Sequence, residues 1–453
     1  MDKASRANMT EGPFLRKIIF FTFPLAAASM LQLLFNAADV VVVGRYAGDF
    51  ALAAVSSTGS LVNLLVNVLM GLSVGCNVVS ARFLGAKDDL EVSHTVQTSI
   101  FIAIAGGLLM AVVGVFAARP LLELMSSPPE VIDLTTLYLR IYFAGLPVMM
   151  LYNFGSALLR SIGDTSRPLI CLAASGVVNV ILNLIFVIRF QMSVAGVALA
   201  TVISQGMAAA MVLAILVKEQ GPLHLDLKAI RMYPNIFRQI AAVGLPAGLQ
   251  GTVFSLSNVV IQSTINSFGP IIMAGNGAAA NIESFVYAAM NSCYQACITF
   301  TSQNMGARKL ENINRILRTC LCLVFTIGIV LGGGAYLMGH TLLGFYSPDP
   351  AVIEAGMARL AVVSLLYAIC GGMDTIVGSL RGMGASILPM IVSLVGSCAL
   401  RLVYIATIFQ LSPTPHTLYL CYPITWTITL LAHVVCFVYV RRKVFAAVKA
   451  PNY

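Results

Sequence analysis

Residues Ile18–Val43 read IIFFTFPLAAASMLQLLFNAADVVVV. The run holds no Lys, Arg or Glu and one acid, Asp39. It exceeds the roughly 20 apolar residues that carry a helix across a bilayer, so it predicts a membrane-spanning helix with a carboxylate inside it. The rest of the chain repeats the pattern. Of 453 residues, 58% are hydrophobic and 10% charged, against about 25% charged in a soluble domain. So little polar surface cannot cover a water-facing globule. The apolar runs are long, not short and alternating, which points to helices and away from a barrel. The expected class is all-α integral membrane.

Twelve runs can be marked, near residues 18–43, 51–80, 92–117, 131–158, 168–188, 194–217, 238–265, 273–303, 316–338, 351–379, 387–409 and 415–440. Basic residues set their orientation. One side gathers Lys3, Arg6, Arg16 and Lys17, then Arg82, Lys87, Arg160 and Arg167, then clusters at 218–238, 308–318, 381 and 441–449. The other side has only Arg45, Arg119 and Arg189. This asymmetry supports twelve spans with both termini in the cytoplasm, and the expected location is the plasma (inner) membrane, as a multi-pass protein. It also accounts for the net charge of +9 without a nucleic-acid partner. No cleavable signal is expected, because the first apolar run is too long for one. The ten cysteines are scattered through apolar runs without zinc-type spacing, and read as small apolar fillers.

The chain also repeats itself. A shift of 221 aligns LRSIGDTSRP (Leu159–Pro168) with LRGMGASILP (Leu380–Pro389), and LGAK (Leu84–Lys87) with MGAR (Met305–Arg308). A shift of 222 pairs Pro24 with Pro246 and Asn36 with Asn258. Six spans per repeat is an even number, so the halves share one orientation and are related by an axis along the membrane normal. The expected organisation is two pseudo-symmetric six-helix lobes, residues 1–217 and 238–453, joined by a cytoplasmic amphipathic linker at 218–237. A duplicated pair of bundles favours alternating access over a channel.

Three acids fall well inside spans: Asp39, Glu283 and Asp374. A charge at mid-membrane costs about 2.5–3.5 kcal/mol on insertion scales, so function is the default reading. Asn36, three residues before Asp39, shares its helical face. Pro24 can kink the same helix and is the candidate hinge. Asn179 and Asn183 stand one turn apart in span 5, and Thr201 adds a hydroxyl in span 6. Asp374 pairs with Asn153 under the shift of 221, so the halves differ in charge at one equivalent position. Asn36, Asn153, Asn258, Glu283 and Asp374 are the expected substrate-cavity residues. The Gly-rich LGGGA (Leu331–Ala335) lacks a Walker lysine and reads as close helix packing. With no nucleotide-binding domain in the chain, an ion gradient is the expected energy source.

Several stretches resemble the multidrug and toxic compound extrusion (MATE) family, over essentially the whole length. They are FPL and LFNAADVVVVGRYAG in span 1, ALAAV and SARFLGAKD around span 2, LLRSIGDTSRP, VVNVILNLIFV, VAGVALATVISQ, TSQNMGARK and SLRGMG. The resemblance implies a non-enzymatic antiporter that exports amphipathic or cationic organic compounds in exchange for H⁺ or Na⁺. The chain is most similar to the DinF-like branch, whose key acid lies on span 1, where Asp39 stands. The same resemblance matches Asn179, Thr201 and Tyr138 to the branch's polar positions, and Asn183, one turn from Asn179, is counted with them among the expected ion-coupling residues. Asn183 stands where some relatives carry a second acid, and Phe254 and Cys370 stand where another branch has its polar groups. Coupling is therefore assigned to Asp39 and to H⁺, with Na⁺ as the alternative ion.

The expected partners are small organic substrates and the lipid bilayer, for a monomer with no cofactor and no resident metal. Competing readings are a lipid-linked saccharide flippase, whose cavity should be strongly basic, and an intramembrane enzyme. His433 stands in span 12 without a nearby acid in sequence, and no nucleophile–base set is visible.

Overall fold

In a bilayer the backbone has no water to bond to, so spanning segments must close their own hydrogen bonds as helices. The computed structural model describes residues 9–48, 50, 51, 54, 55, 58–124 and 129–449. Every predicted span is helical there; the start of span 51–80 falls partly on residues outside the described ones. The helices are α1 (Phe14–Tyr46), α2 (Gly59–Ala86), α3 (Asp89–Leu124), α4 (Pro129–Ala144 and Leu146–Ser161), α5 (Ser166–Arg189) and α6 (Ser193–Lys218). The second six are α7 (Pro234–Asn266), α8 (Pro270–Gly306), α9 (Glu311–Leu337), α10 (Pro350–Ser364 and Tyr367–Gly382), α11 (Ile387–Leu411) and α12 (Pro415–Lys449). Among the described residues nine helices are long and apolar enough to cross a membrane, and the bent pairs of α4 and α10 bring the number to eleven. The twelfth, α8, has 37 residues and carries Asn276, Asn281, Glu283 and Ser284 along its first half. Large apolar side chains face outward, including Phe23, Phe116 and Leu337 at 74%, 76% and 83% exposure. Such a surface suits lipid, not water.

The repeat is written in the backbone. Lys87 and Arg308, 221 residues apart, both adopt the left-handed conformation, at φ 58° and 56°, where α2 and α8 end. Gly163 and Gly384 share the same separation and turn the chain at φ 84° and 92°, a region glycine enters without steric cost. The bent helices also correspond: α4 breaks by 46° at Gly145 and α10 by 42° around Leu366, again 221 residues on.

By packing, residues 27–248 form one compact unit, and residues 9–26 with 249–449 form the other. This partition differs from a cut at the linker, because α1 and α7 each contribute their first part to one unit and their remainder to the other. The boundary follows Pro24 by two residues in α1, and Pro246 by two residues in α7. The expected linker is non-helical over 219–233, and α7 already starts at Pro234. Its alternate residues Leu223 and Leu225 are buried in the first unit, and the Tyr233 ring stacks on His94 at 3.9 Å. The first unit's core centres on Leu139, Phe143, Phe154 and Leu158 of α4 against Val197 and Val212 of α6. In the second, Ile18 and Phe21 of α1 pack with Phe300, Ile313 and Ile316, and Phe21 meets Phe300 edge-on at 5.7 Å.

Within the first unit, Gly71 and Gly75 of α2 face Gly244 and Gly248 of α7. These are two small-xxx-small motifs that let backbones touch. A Cβ on Gly71 would lie 2.3 Å from the Gly244 carbonyl oxygen and 2.3 Å from the Gly248 nitrogen, with no flexible side chain to yield. Gly206 of α6 has open space instead. Gly71→Ala is therefore expected to lower stability by about 1–3 kcal/mol through overpacking, while Gly206→Ala leaves it unchanged. Thermal melts of the two variants in detergent check this; equal melting temperatures would refute the close contact.

Candidate functional site

Asp39 lies on α1 near its C-terminal end and is buried. Its partners come from two other helices. Asn183 of α5 donates its amide Nδ2–H to Asp39 Oδ1. The Thr201 hydroxyl of α6 stands 3.4 Å from Asp39 Oδ2 and 3.0 Å from the Val197 carbonyl. Asn179, one turn before Asn183, accepts from Asn183 Nδ2 at 3.2 Å and donates to Thr201 Oγ1 at 3.4 Å. The two hydrogens of the Asn183 amide thus serve Asp39 and Asn179, while its carbonyl oxygen Oδ1 has no donor. Among the described residues no Lys, Arg or His forms an ion pair with Asp39; every polar contact to it is neutral. A π turn, Ile185–Arg189, begins two residues after Asn183, and such turns concentrate at functional sites.

Of the five expected coupling residues, four meet here. Tyr138 is buried on α4 and stacks on Tyr142 at 6.2 Å, without a hydrogen bond to Asp39. Asn36 does not join: it is exposed and makes no hydrogen bond among the described residues. Asn153 is half-buried and donates to the Met149 carbonyl of its own helix at 2.8 Å. Pro24 lies inside an unbroken α1.

The acids of the second unit behave differently. Glu283 of α8 is buried and holds Arg359 of α10: Nε lies 3.1 Å from both carboxylate oxygens and Nη2 lies 2.7 Å from Oε2. Arg359 Nη1 donates to Asn276 Oδ1 at 2.7 Å. The fork-to-fork geometry is that of a strong pair, and Glu283 faces a cation, not a substrate space. The acid that holds Arg359 thus comes from α8. Asp374 accepts from the Tyr287 hydroxyl at 3.2 Å.

Asp374 lines a cavity of about 440 Å³, with Asn258, Arg359, Arg401, Tyr367, Tyr422 and Trp426 among its other walls. Of the predicted substrate-cavity residues, Asn258 and Asp374 stand here; Glu283 lies behind Arg359. Sequence reasoning missed the aromatic wall and Arg401 as site residues. The sole tryptophan of the chain, Trp426, and an arginine in the middle of a span were the signals available.

Similarity to known proteins is broad. Residues 24–185 and 246–407 each match the MatE family model, at a separation of 222. The "Probable multidrug resistance protein YoeA" of Bacillus subtilis (strain 168) is 27% identical over 387 residues, 84% of this chain and 83% of that protein. Multidrug export protein MepA of Staphylococcus saprophyticus is 23% identical over 380 residues, 83% of this chain and 84% of that one. The solved structure of a MOP superfamily transporter from Pyrococcus furiosus matches with a TM-score of 0.90 at 20% identity, covering 100% of both chains. That likeness bears on the fold: twelve transmembrane helices in two lobes.

A buried pair is expensive to break from one side. Glu283→Ala leaves the Arg359 charge uncompensated and is expected to cost about 3–5 kcal/mol. The double variant Glu283→Met/Arg359→Leu should recover most of that loss. Melting temperatures of both forms in detergent decide it, and a wild-type melt for Glu283→Ala would remove the pair from the structural account.

Proposed function

The chain belongs to the MatE family, and from that premise we propose that it is a secondary antiporter that expels amphipathic or cationic organic compounds across the plasma membrane in exchange for H⁺. The observation that carries the coupling is the surroundings of Asp39: a buried carboxylate held by an amide and a hydroxyl, with no cation fixed beside it among the described residues. Glu283, locked to Arg359, lacks that freedom.

The site suits both protonation states of Asp39. Ionised, the carboxylate accepts from Asn183 and Thr201. Protonated, it becomes a donor, and Asn183 Oδ1 is an acceptor with no other donor. A turn of the Asn183 amide presents that oxygen to the protonated carboxyl and releases the hydrogen bond to Asn179 Oδ1, so the change of protonation state is tied to a rearrangement of the Asn183–Asn179 pair. A cationic substrate and a proton neutralise the same charge, so they compete, and each favours one of two states. Pro24 removes a backbone donor from the α1 ladder two residues before the helix passes between units, as Pro246 does in α7. These are the hinges of the alternation. The basic residues at alternate loops set both termini in the cytoplasm.

A single acid among neutral oxygens and amides favours H⁺ over Na⁺, because Asn183 holds the place of a second carboxylate. Asp39→Asn is near-isosteric and loses only the titratable charge. It should fold, bind substrate and fail to pump, while Asp39→Glu keeps part of the activity. The check is dye efflux from everted vesicles alongside a thermal melt in detergent. Wild-type efflux by a well-folded Asp39→Asn protein would sink the mechanism.

A further inference from the structure

The 440 Å³ cavity of the second unit holds a charge that nothing in the coupling scheme uses. Arg401 lies in the middle of α11, two residues after the π turn Leu394–Ala399, and is 4% exposed. A guanidinium has five N–H donors. The polar contact of Arg401 is one long hydrogen bond, Nη1 to Asn258 Oδ1 at 3.5 Å, and its Nε has no partner. It forms no ion pair among the described residues. The other cation of the cavity, Arg359, is neutralised by Glu283, and the acid of the cavity, Asp374, accepts from Tyr287. A mid-membrane charge left so poorly satisfied is costly to hold there. A ligand that completes it recovers that cost on binding.

The walls say what kind of ligand. The Arg401 guanidinium sits over the Tyr422 ring at 4.6 Å, and Tyr422 lies 5.5 Å from Trp426, which stacks on Tyr367 at 5.4 Å. A cation at the end of a row of rings fits an aromatic body with one negative head. Arg401 offers one positive charge, which matches a carboxylate better than a pyrophosphate, while Asp374 on another wall keeps its own negative charge, since the Tyr287 hydroxyl beside it is neutral, and so holds a second anionic group away.

We propose that this cavity is a substrate subsite for aromatic monocarboxylates, with Arg401 binding the carboxylate and Tyr422, Trp426 and Tyr367 the rings. It extends the exporter reading by adding an anionic recognition group to it. The measurement is equilibrium binding in detergent with no ion gradient, so its result does not depend on whether protons drive transport.

Trp426, as the sole tryptophan, reports occupancy directly. Nitroaromatic probes of matched shape, 4-nitrobenzoate, 4-nitrobenzamide and 4-nitrobenzylammonium, quench it when they bind. The carboxylate is expected to bind about 10- to 100-fold tighter than the amide, as suits a hydrogen bond to a charged group. Arg401→Gln should remove that preference and leave amide binding in place. Arg401→Lys, which keeps the charge, should retain much of it and serves as the test if the Gln form does not fold: loss of the preference in a folded Lys form counts against a charge-based site. Equal quenching by all three probes in the wild type, or an undiminished carboxylate preference in Arg401→Gln, would overturn the proposal.

Discussion

A polar group inside a bilayer must find its partner within the protein, and the structure resolves this demand in graded ways. Glu283 and Arg359, with Asn276 taking a further guanidinium hydrogen, form a closed pair and tie α8 to α10. Asp39 is satisfied by neutral groups alone, from α5 and α6. Arg401 is left nearly unmet. A fully paired charge has no reason to change state. A charge held by neutral groups can lose it by taking up a proton, and an unmet charge invites a ligand. The functional assignments follow this gradient.

Helix irregularities sit where these polar residues need them. The π turn Ile185–Arg189 follows Asn183, Leu360–Ser364 follows Arg359, and Leu394–Ala399 precedes Arg401. Each inserts a residue into the helical register and re-aims the side chains next to it. Pro24 and Pro246 each remove a backbone donor inside α1 and α7, the helices that belong to both compact units. Elsewhere packing rests on small residues, as at Gly71 and Gly248, since lipid gives helices no hydrophobic reason to associate.

Much of this was legible in the chain. Span positions follow from apolar length alone, and the repeat from matches such as Lys87 with Arg308, whose shared left-handed backbone explains why the motif recurs. Asp39, Asn179, Asn183 and Thr201 were each visible as polar residues in apolar runs. Asn36 lies about 60° around the helix from Asp39, since three residues turn through about 300°, and it is exposed where Asp39 is buried. The Glu283–Arg359 pair was not legible, since its members lie 76 residues apart on different helices. Nor was the Arg401 cavity, whose walls come from α7, α8, α10, α11 and α12.

The central claim is that one proton and one substrate compete through Asp39. Purified protein in a weakly buffered detergent solution, titrated with tetraphenylphosphonium while a pH-sensitive dye is followed, tests this without vesicles or gradients. Binding should release protons from the wild type, and the release should vanish in Asp39→Asn at matched occupancy. Binding without proton release in the wild type, or equal release from both proteins, would contradict the account.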